Sequence, residues 1–493
     1  MQETIRFVFD DRIVEVEFSE TTGFKPTTTV LNFLRSFSAH KGVKEGCAEG
    51  DCGACTVVLA EIGENGKLVY KTVDSCLVFL PMIHGKQLIT IENLAFYKEK
   101  HKILHPVQKM LVDSHGSQCG YCTPGVVMSL FGLFKNHHNP PRETIEDALT
   151  GNLCRCTGYQ SILEAAQKAC SGVGKDHFSQ YEPGIIELLL EIKSNRETFR
   201  KKRGRQHYTK PFTLEEALRV KKEYPSATVI SGSTDVALRQ TKKKELLAAI
   251  VDLSGVEELQ YCHETADAYV IGAGLPLEKV RRFAEERLPA LNNILKVFGS
   301  LQIRNMATLG GNVGSASPIG DSLPLLISYK ASVKIRSLDA ERICPVGDFI
   351  TGYRKTLLHD DELIIEIIIP KHSADTKVMS YKVSKRREMD ISTVSAAFRL
   401  TLAQGKVSEI ILAFGGMAPV PIRAIKTEEA LFGKEWTLKA VEEAMPVLIR
   451  EFTPISDARA EAEFRNTAAT NLLLKFFVEQ NIPDPVPRSN NRE

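Results

Sequence analysis

Three cysteines fall within nine residues of the segment GCAEGDCGACTVVL, at Cys47, Cys52 and Cys55, and a fourth, Cys76, follows in VDSCLVF. The spacing C-x4-C-x2-C-x20-C is the plant-type arrangement in which four thiolates hold a [2Fe–2S] cluster. Gly46, Gly50 and Gly53 suit it, because a loop wrapped round a cluster turns tightly and points backbone N–H groups at sulfur, which side chains would obstruct. A structural zinc site is the competing reading. Zinc favours paired C-x2-C knuckles at short separation, and only one such pair occurs here. A second group sets Cys119 and Cys122 in SQCGYCTPG against Cys154 and Cys156 in GNLCRCTGY. C-x2-C with a later C-x-C is neither a zinc ribbon nor a ferredoxin pattern. Four thiols converging between helix N-termini would favour an anionic cluster, so these residues read as a metal site of iron–sulfur type. Cys170, Cys262 and Cys344 stand apart and read as structural.

The elements that must position these thiols follow from periodicity. TIRFVFDDRIVEVEF alternates apolar and polar residues about Asp10-Asp11, a hairpin signal, and TVVLAEI and KLVYKTV read as further strands. TTTVLNFLRSF places Val30, Leu31, Phe33 and Leu34 behind threonines able to cap a helix. From about residue 100 the period becomes helical. Val107, Met110 and Leu111 share one face; CTPGVVMSLFGLF offers Thr123 as cap and Pro124 in the first turn; RETIEDALTGNL sets Thr144 three residues before Asp147; GYQSILEAAQKA is a fourth helix. Residues 171–205 mix Gly, Ser, Lys and Arg around GIIELLLEI and read as a connector. Strands and helices then alternate to about 375, two long strands follow, and helices run from EEALFG to NLLLKFFVEQ. The tail PDPVPRSNNRE reads as mobile.

The chain of 493 residues is 43% hydrophobic and 25% charged, a balance that fits several globular domains. A net charge of +2 gives no general reason to expect nucleic acid as a partner. The N-terminus lacks the basic start and apolar core of a signal peptide, and no run reaches the ~18 apolar residues of a membrane span. These features point to the cytoplasm, where disulfides are rare. Eight of the eleven cysteines lie between residues 47 and 156, so their explanation is local.

Two glycine stretches invite a nucleotide reading. VIGAGLPL supplies Gly272 and Gly274, but a Rossmann fingerprint needs a third glycine where Leu277 stands, so glycines ending a strand are the better account. VISGSTDV, residues 229–236, and TLGGNVGSASPIGDSLP, residues 308–324, each follow an apolar strand and are dense in small and hydroxyl residues. Gly310 and Gly311 would let backbone N–H groups approach a pyrophosphate.

The tandem GCAEGDCGAC…C and QCGYCTPG…NLCRCTGY resembles the iron–sulfur half of the xanthine dehydrogenase family of molybdenum hydroxylases, and the likeness extends over nearly the whole chain. It implies an α+β multidomain fold: a β-grasp ferredoxin-like domain at 1–92, a four-helix [2Fe–2S] domain at 93–170, a linker at 171–205, a vanillyl-alcohol-oxidase-type FAD domain at 206–375, an α/β C-terminal subdomain at 376–482, and the tail 483–493. Both cysteine sites would be [2Fe–2S], the ferredoxin-like one nearer the flavin and the helical one nearer molybdenum. Gln118 matches the glutamine that touches molybdopterin, and Cys156 the ligand beside the pterin. For FAD the resemblance implies Val229, Ile230, Ser231, Gly232, Ser233, Thr234, Asp235 and Val236 around the pyrophosphate and ribityl chain. It adds Phe298 near the adenine, then Thr308, Gly310, Gly311, Asn312 and Asp321, with Ile364 and Lys382 as further contacts. Ser233 replaces the glycine or asparagine more usual there. Tyr353 and SKRREMDIS fall where the family controls access of NAD to the flavin.

The molybdenum domains would need several hundred further residues, so the resemblance implies a separate molybdopterin-binding large subunit, in a dimer of two-chain units. The implied role is electron transfer from hypoxanthine or xanthine hydroxylation, through both clusters to FAD and then NAD. A relative acting on an aldehyde, nicotinate or another N-heterocycle would carry the same motifs. Two readings of other classes are a molybdenum-free iron–sulfur flavoprotein reductase, against which Gln118 and the C-x-C site weigh, and a zinc-stabilised interaction protein.

Overall fold

The computed structural model describes residues 2–99, 101–172 and 176–481; the tail expected at 483–493 lies outside the described residues. The N-terminal alternation closes as expected: Thr4–Phe9 pairs antiparallel with Arg12–Glu17, and Phe9 stands opposite Arg12. Asp10 makes the turn with a left-handed φ of 62°, which aspartate tolerates better than most residues. The sheet runs in the order Arg12–Glu17, Thr4–Phe9, Gln87–Ile89, Thr56–Ile62, Leu68–Asp74, with one parallel pair, Thr4–Phe9 beside Gln87–Ile89. The helix Val30–Ser36 starts at Thr29, whose hydroxyl accepts the Asn32 N–H at 3.2 Å, and buries Val30, Leu31, Phe33 and Leu34 in the sheet's core.

Four helices follow: Pro106–Asp113, Thr123–Asn136, Arg142–Leu149 and Gln160–Ser171. Two expected caps differ. Cys122, not Thr123, occupies the cap position of the second helix, and the Thr123 hydroxyl sits 2.6 Å from that of Ser117. The third helix begins at Arg142 behind Pro141, one turn's worth earlier than the Thr144–Asp147 pairing needs, and Asp147 serves an ion pair instead. Proline's fixed φ and the shape of the chain before it set that start.

Residues 171–205 are not a plain connector. They hold the helix Phe178–Ser194, which buries Ile185, Leu189 and Ile192, and the strand Phe199–Arg203. Pro183 lies in the second turn of the helix, where it removes one backbone hydrogen bond to the turn before it. Glu191 bonds Arg6 at 2.8 Å and Glu182 accepts from the Tyr70 hydroxyl at 2.8 Å, so the helix is fastened to the first sheet.

The following region contains a four-stranded sheet, ordered Thr228–Ile230, Ala249–Asp252, Gln206–Lys210, Phe199–Arg203, and a five-stranded antiparallel sheet, ordered Cys262–Glu264, Ala268–Gly272, Leu363–Pro370, Ser332–Arg336, Glu341–Pro345. Helices Leu277–Arg287, Pro289–Lys296, Leu309–Ser315 and Ser322–Ser328 fill the space beside the second of these. The last part is an antiparallel sheet, Thr376–Val383, Val394–Ala403, Lys406–Gly415 and Ile422–Arg423, packed against Ile425–Leu431, Leu438–Glu451 and Ala462–Asn481. Among the described residues no helix is long and apolar enough to cross a membrane.

Candidate cluster sites and flavin cavity

The loop carrying Cys47, Cys52 and Cys55 is folded by backbone that few side chains permit. Ala48, Gly50 and Gly53 have φ of 57°, 82° and 65°. A Cβ at Gly46 would sit 2.7 Å from Cys52 Sγ, and one at Gly53 2.3 Å from the Gly151 carbonyl, so both glycines are enforced by space. Cys47 Sγ accepts the N–H groups of Glu49 and Asp51 at 3.4 and 3.3 Å. A hydrogen bond from Cys52 and these backbone donors draw the Cys47 thiol down to about 5 against the pull of burial. Cys55 is pushed well up, first by its bond to Cys76 and then by burial. Among the described residues no three His, Cys, Asp or Glu side chains are gathered as ligands for a single ion. The thiols come in twos, Cys47 with Cys52 and Cys55 with Cys76, a division that fits two irons taking two thiolates each.

The second group sits at two helix starts, as the sequence suggests. Cys122 precedes Thr123–Asn136, while Cys154 and Cys156 precede Gln160–Ser171. Burial and a bond to Cys154 push the Cys122 thiol up to about 12. Cys154 is buried, yet the Thr157 hydroxyl, 3.1 Å away, and nearby N–H groups hold it below the ordinary thiol range. Cys119 and Cys156 are exposed, as is Gln118, and they share a surface with Tyr121, Leu153 and Tyr159.

The two cysteine loops touch through main chain. The Leu153 N–H donates to the Cys52 carbonyl at 3.1 Å. Asn152 closes the seam: its amide nitrogen donates to the Gly53 carbonyl (3.1 Å) and the Thr56 hydroxyl (3.2 Å), and its oxygen accepts from Ser129 (2.5 Å) and Gln302 (3.1 Å). Gln302 and Arg304, both fully buried, come from the flavin half. Arg304 reaches Glu278 at 3.0 Å and grips both oxygens of Asp147 at 2.7 and 2.8 Å. No periodicity in the sequence announces this seam.

A cavity of about 740 Å³ opens between the flavin half and the first cysteine loop, within the range of organic cofactor sites. Val229 to Val236, Phe298, Thr308, Gly310, Gly311, Asn312 and Ile364 all line it. Thr308 caps the short helix Leu309–Ser315 by accepting the Gly311 N–H at 3.0 Å. A Cβ at Gly232 would fall 1.9 Å from the Met306 carbonyl, and one at Gly310 2.5 Å from Ala273, so only glycine lets these loops approach. Asp321 and Lys382 are not brought to the wall. The Lys382 side chain is 6% exposed, and its ammonium pairs with Asp321 at 3.0 Å and donates to the Val297 carbonyl at 3.0 Å. Tyr353 is exposed and outside the wall, whereas its neighbour Arg354 forks onto Asp235 at 2.8 and 3.1 Å. Gly272 ends its strand, its missing Cβ making room for the Leu259 carbonyl, but Ala273 and Gly274 line the cavity, which the sequence did not reveal. Leu77, Ile303, Leu358, Glu362 and Met389 are further wall residues without a sequence signal. Met389 belongs to SKRREMDIS and has a φ of 66°.

Residues 90–167 match the family described as [2Fe-2S] binding domain, 199–372 the FAD binding domain in molybdopterin dehydrogenase, and 379–480 the CO dehydrogenase flavoprotein C-terminal domain. The chain belongs to the molybdenum hydroxylases, as an iron–sulfur and FAD chain. Xanthine dehydrogenase/oxidase of Gallus gallus is 31% identical over 98% of this chain, and xanthine dehydrogenase of Emericella nidulans 32% over 96%. The chain spans about two fifths of these relatives, 41% and 38% of their lengths. Carbon monoxide dehydrogenase from Hydrogenophaga pseudoflava superposes with a TM-score of 0.53 and 26% identity, over 56% of this chain and 96% of that one. Quinoline 2-oxidoreductase from Pseudomonas putida 86, at 22% identity and a TM-score of 0.52 over 57% of this chain and 97% of its own, shares the fold. In such a molybdenum hydroxylase chain the paired thiols and the glycine-walled cavity fit the two kinds of cofactor that the matched families bind.

Proposed function

We propose that this chain is the electron-transfer subunit of a xanthine dehydrogenase, accepting electrons from a molybdopterin-binding large subunit and delivering them to NAD. One observation carries the reading. The sites lie in sequence through touching main chain: the exposed Cys119 and Cys156 at one end, then the Leu153–Cys52 backbone bond, then the Ser233–Leu77 bond and the cavity wall that Leu77 shares with Glu49 and Asp51. Cys47, Cys52, Cys55 and Cys76 hold one [2Fe–2S] cluster, Cys119, Cys122, Cys154 and Cys156 the other, and Val229 to Val236, Phe298, Thr308, Gly310, Gly311, Asn312 and Ile364 hold FAD, with Asp321 and Lys382 supporting from behind the wall.

When bound, the clusters move single electrons and the flavin converts them to the two-electron transfer that NAD requires. The chain's own residues do the positioning. Backbone donors of Glu49 and Asp51 stabilise charge on Cys47 sulfur, Asn152 fixes the spacing of the two cysteine loops, and Lys242 braces the first loop by donating to the Cys47 carbonyl at 3.1 Å and pairing with Glu49 at 3.2 Å. The exposed surface around Gln118, Cys119 and Cys156 is where the large subunit docks, and the SKRREMDIS loop, with Met389 in the cavity wall, governs entry of NAD. Purine as substrate is favoured by the xanthine dehydrogenases among the curated relatives, at 31–32% identity; the assembly is a dimer of two-chain units in the cytoplasm.

The test is an anaerobic visible titration of the chain with its large subunit. Dithionite should bleach the iron–sulfur and flavin bands, and NAD should restore them promptly; xanthine should bleach them in place of dithionite. Bleaching without recovery by NAD would refute the acceptor, a response to an aldehyde but not to xanthine would refute the substrate, and a colourless, iron-free chain would refute the relay.

A further inference from the structure

Ser233 has a φ of +58°, the left-handed region that costs most residues stability and that glycine or asparagine adopts more easily. Serine occupies it while 95% buried. Its hydroxyl donates, at 2.5 Å, to the carbonyl of Leu77, a residue 156 positions earlier and the immediate neighbour of Cys76. Leu77 in turn has its side chain over Gly50 of the cysteine loop, and its N–H donates to the Asp74 carbonyl at 2.9 Å. A glycine at 233 would relax the backbone without supplying the bond, and an alanine would keep the strain with nothing in return. The serine hydroxyl ties the cavity loop to the turn after Leu68–Asp74 that carries Cys76.

We propose that Ser233 is a positioning residue that fixes the Cys76–Leu77 segment against the flavin-side loop, and so sets the spacing and environment of the first cysteine site relative to the cavity. This rests on the relay reading above. Glycine at this position serves the loop alone; serine serves the loop and the thiol segment together.

The experiment compares the purified chain with its Ser233→Gly and Ser233→Asn variants by amide hydrogen exchange, by FAD content and by the electron paramagnetic resonance spectrum of the dithionite-reduced protein. Ser233→Gly should raise exchange across residues 76–79 about tenfold, the factor one buried hydrogen bond is worth, and alter the signal of the cluster held by Cys47, Cys52, Cys55 and Cys76 while sparing the other. Ser233→Asn, which tolerates left-handed backbone and restores a donor, should return both readouts towards those of the serine protein. Unchanged exchange and an unchanged spectrum in Ser233→Gly would overturn the proposal. So would loss of FAD with exchange at 76–79 unaltered, because the hydroxyl would then serve the cavity alone. The exchange comparison needs no bound cofactor, so it stays decisive even if an iron-free chain has refuted the relay.

Discussion

Arg304→Met should loosen the seam between the helical domain and the flavin half, and the size of the effect follows from its two partners. Burial raises the Glu278 carboxyl, but Arg281 and Arg304 overcome it and bring its value from 4.5 to about 2. At about 1.36 kcal/mol per pH unit, the ionised form is favoured by roughly 3 kcal/mol. Arg281 remains in the variant, so about half of that is lost. The forked bond to Asp147, which is 31% exposed, adds a charge-assisted contribution of about 1.5 kcal/mol. The Glu278 share is lost within the flavin half; only the Asp147 contact crosses the seam, so the population in which the helix Arg142–Leu149 has left the flavin half should rise about tenfold, the equivalent of about 1.5 kcal/mol. Whole-chain unfolding of a multidomain protein is not a single transition, so the assay is hydrogen exchange within that helix, supported by the rate of thermolysin cleavage.

The pH dependence has a definite sign. Glu278 is depressed in the folded state, so its stabilisation is complete above about pH 4.5 and fades as the pH falls towards 2. In Arg304→Met the fading still begins near pH 4.5 but is complete at a higher pH, because less stabilisation remains to be lost. Asp147→Asn combined with Arg304→Met should cost less than the two single changes added together. Exchange rates within threefold of the unsubstituted chain, or strict additivity, would refute the reasoning.

Cys52→Ser should lower bound iron by roughly half, since about two of about four irons depend on that site, and leave one cluster's spectrum intact; iron analysis with visible spectroscopy checks it. Gly232→Ala sets a methyl 1.9 Å from the Met306 carbonyl, so it should destabilise the flavin half by about 1–3 kcal/mol and release FAD on gel filtration, read by fluorescence of the low-mass fraction. Lys135→Met strips one cation from Asp176, a wholly buried carboxylate that burial would raise but that His105 and Lys135 hold well below the usual range. It should cost about 3 kcal/mol, seen as faster hydrogen exchange in the helix Phe178–Ser194 at pH 7 with a smaller difference at acid pH, where Asp176 protonates.

Residue types and spacing revealed the thiols, the hairpin, the helical periods and both glycine loops, because each follows from local rules on neighbouring residues. What stayed hidden is long-range. Arg304 meets Asp147 across 157 positions, and Gln302 meets Asn152 across 150; a buried arginine has no sequence signature apart from its partners. The helix Phe178–Ser194 was hidden in a stretch whose Gly, Ser, Lys and Arg content reads as a connector, and the packing of Ile185, Leu189 and Ile192 decides otherwise. Thr144 looked like a cap because it precedes an acid by three, yet Pro141 had already begun the helix. Asp321 and Lys382 were named by the resemblance as separate flavin contacts, not as partners of each other.

The thiols lie at differing depths. Cys55 and Cys76 are each 2% exposed, beneath a loop closed by the Gly53–Gly151 contact, and Cys154 is buried as well, whereas Cys119 and Cys156 face the solvent. A thiol reagent in solution therefore meets Cys119 and Cys156 on the finished fold, and Cys55 and Cys76 only when the loop opens.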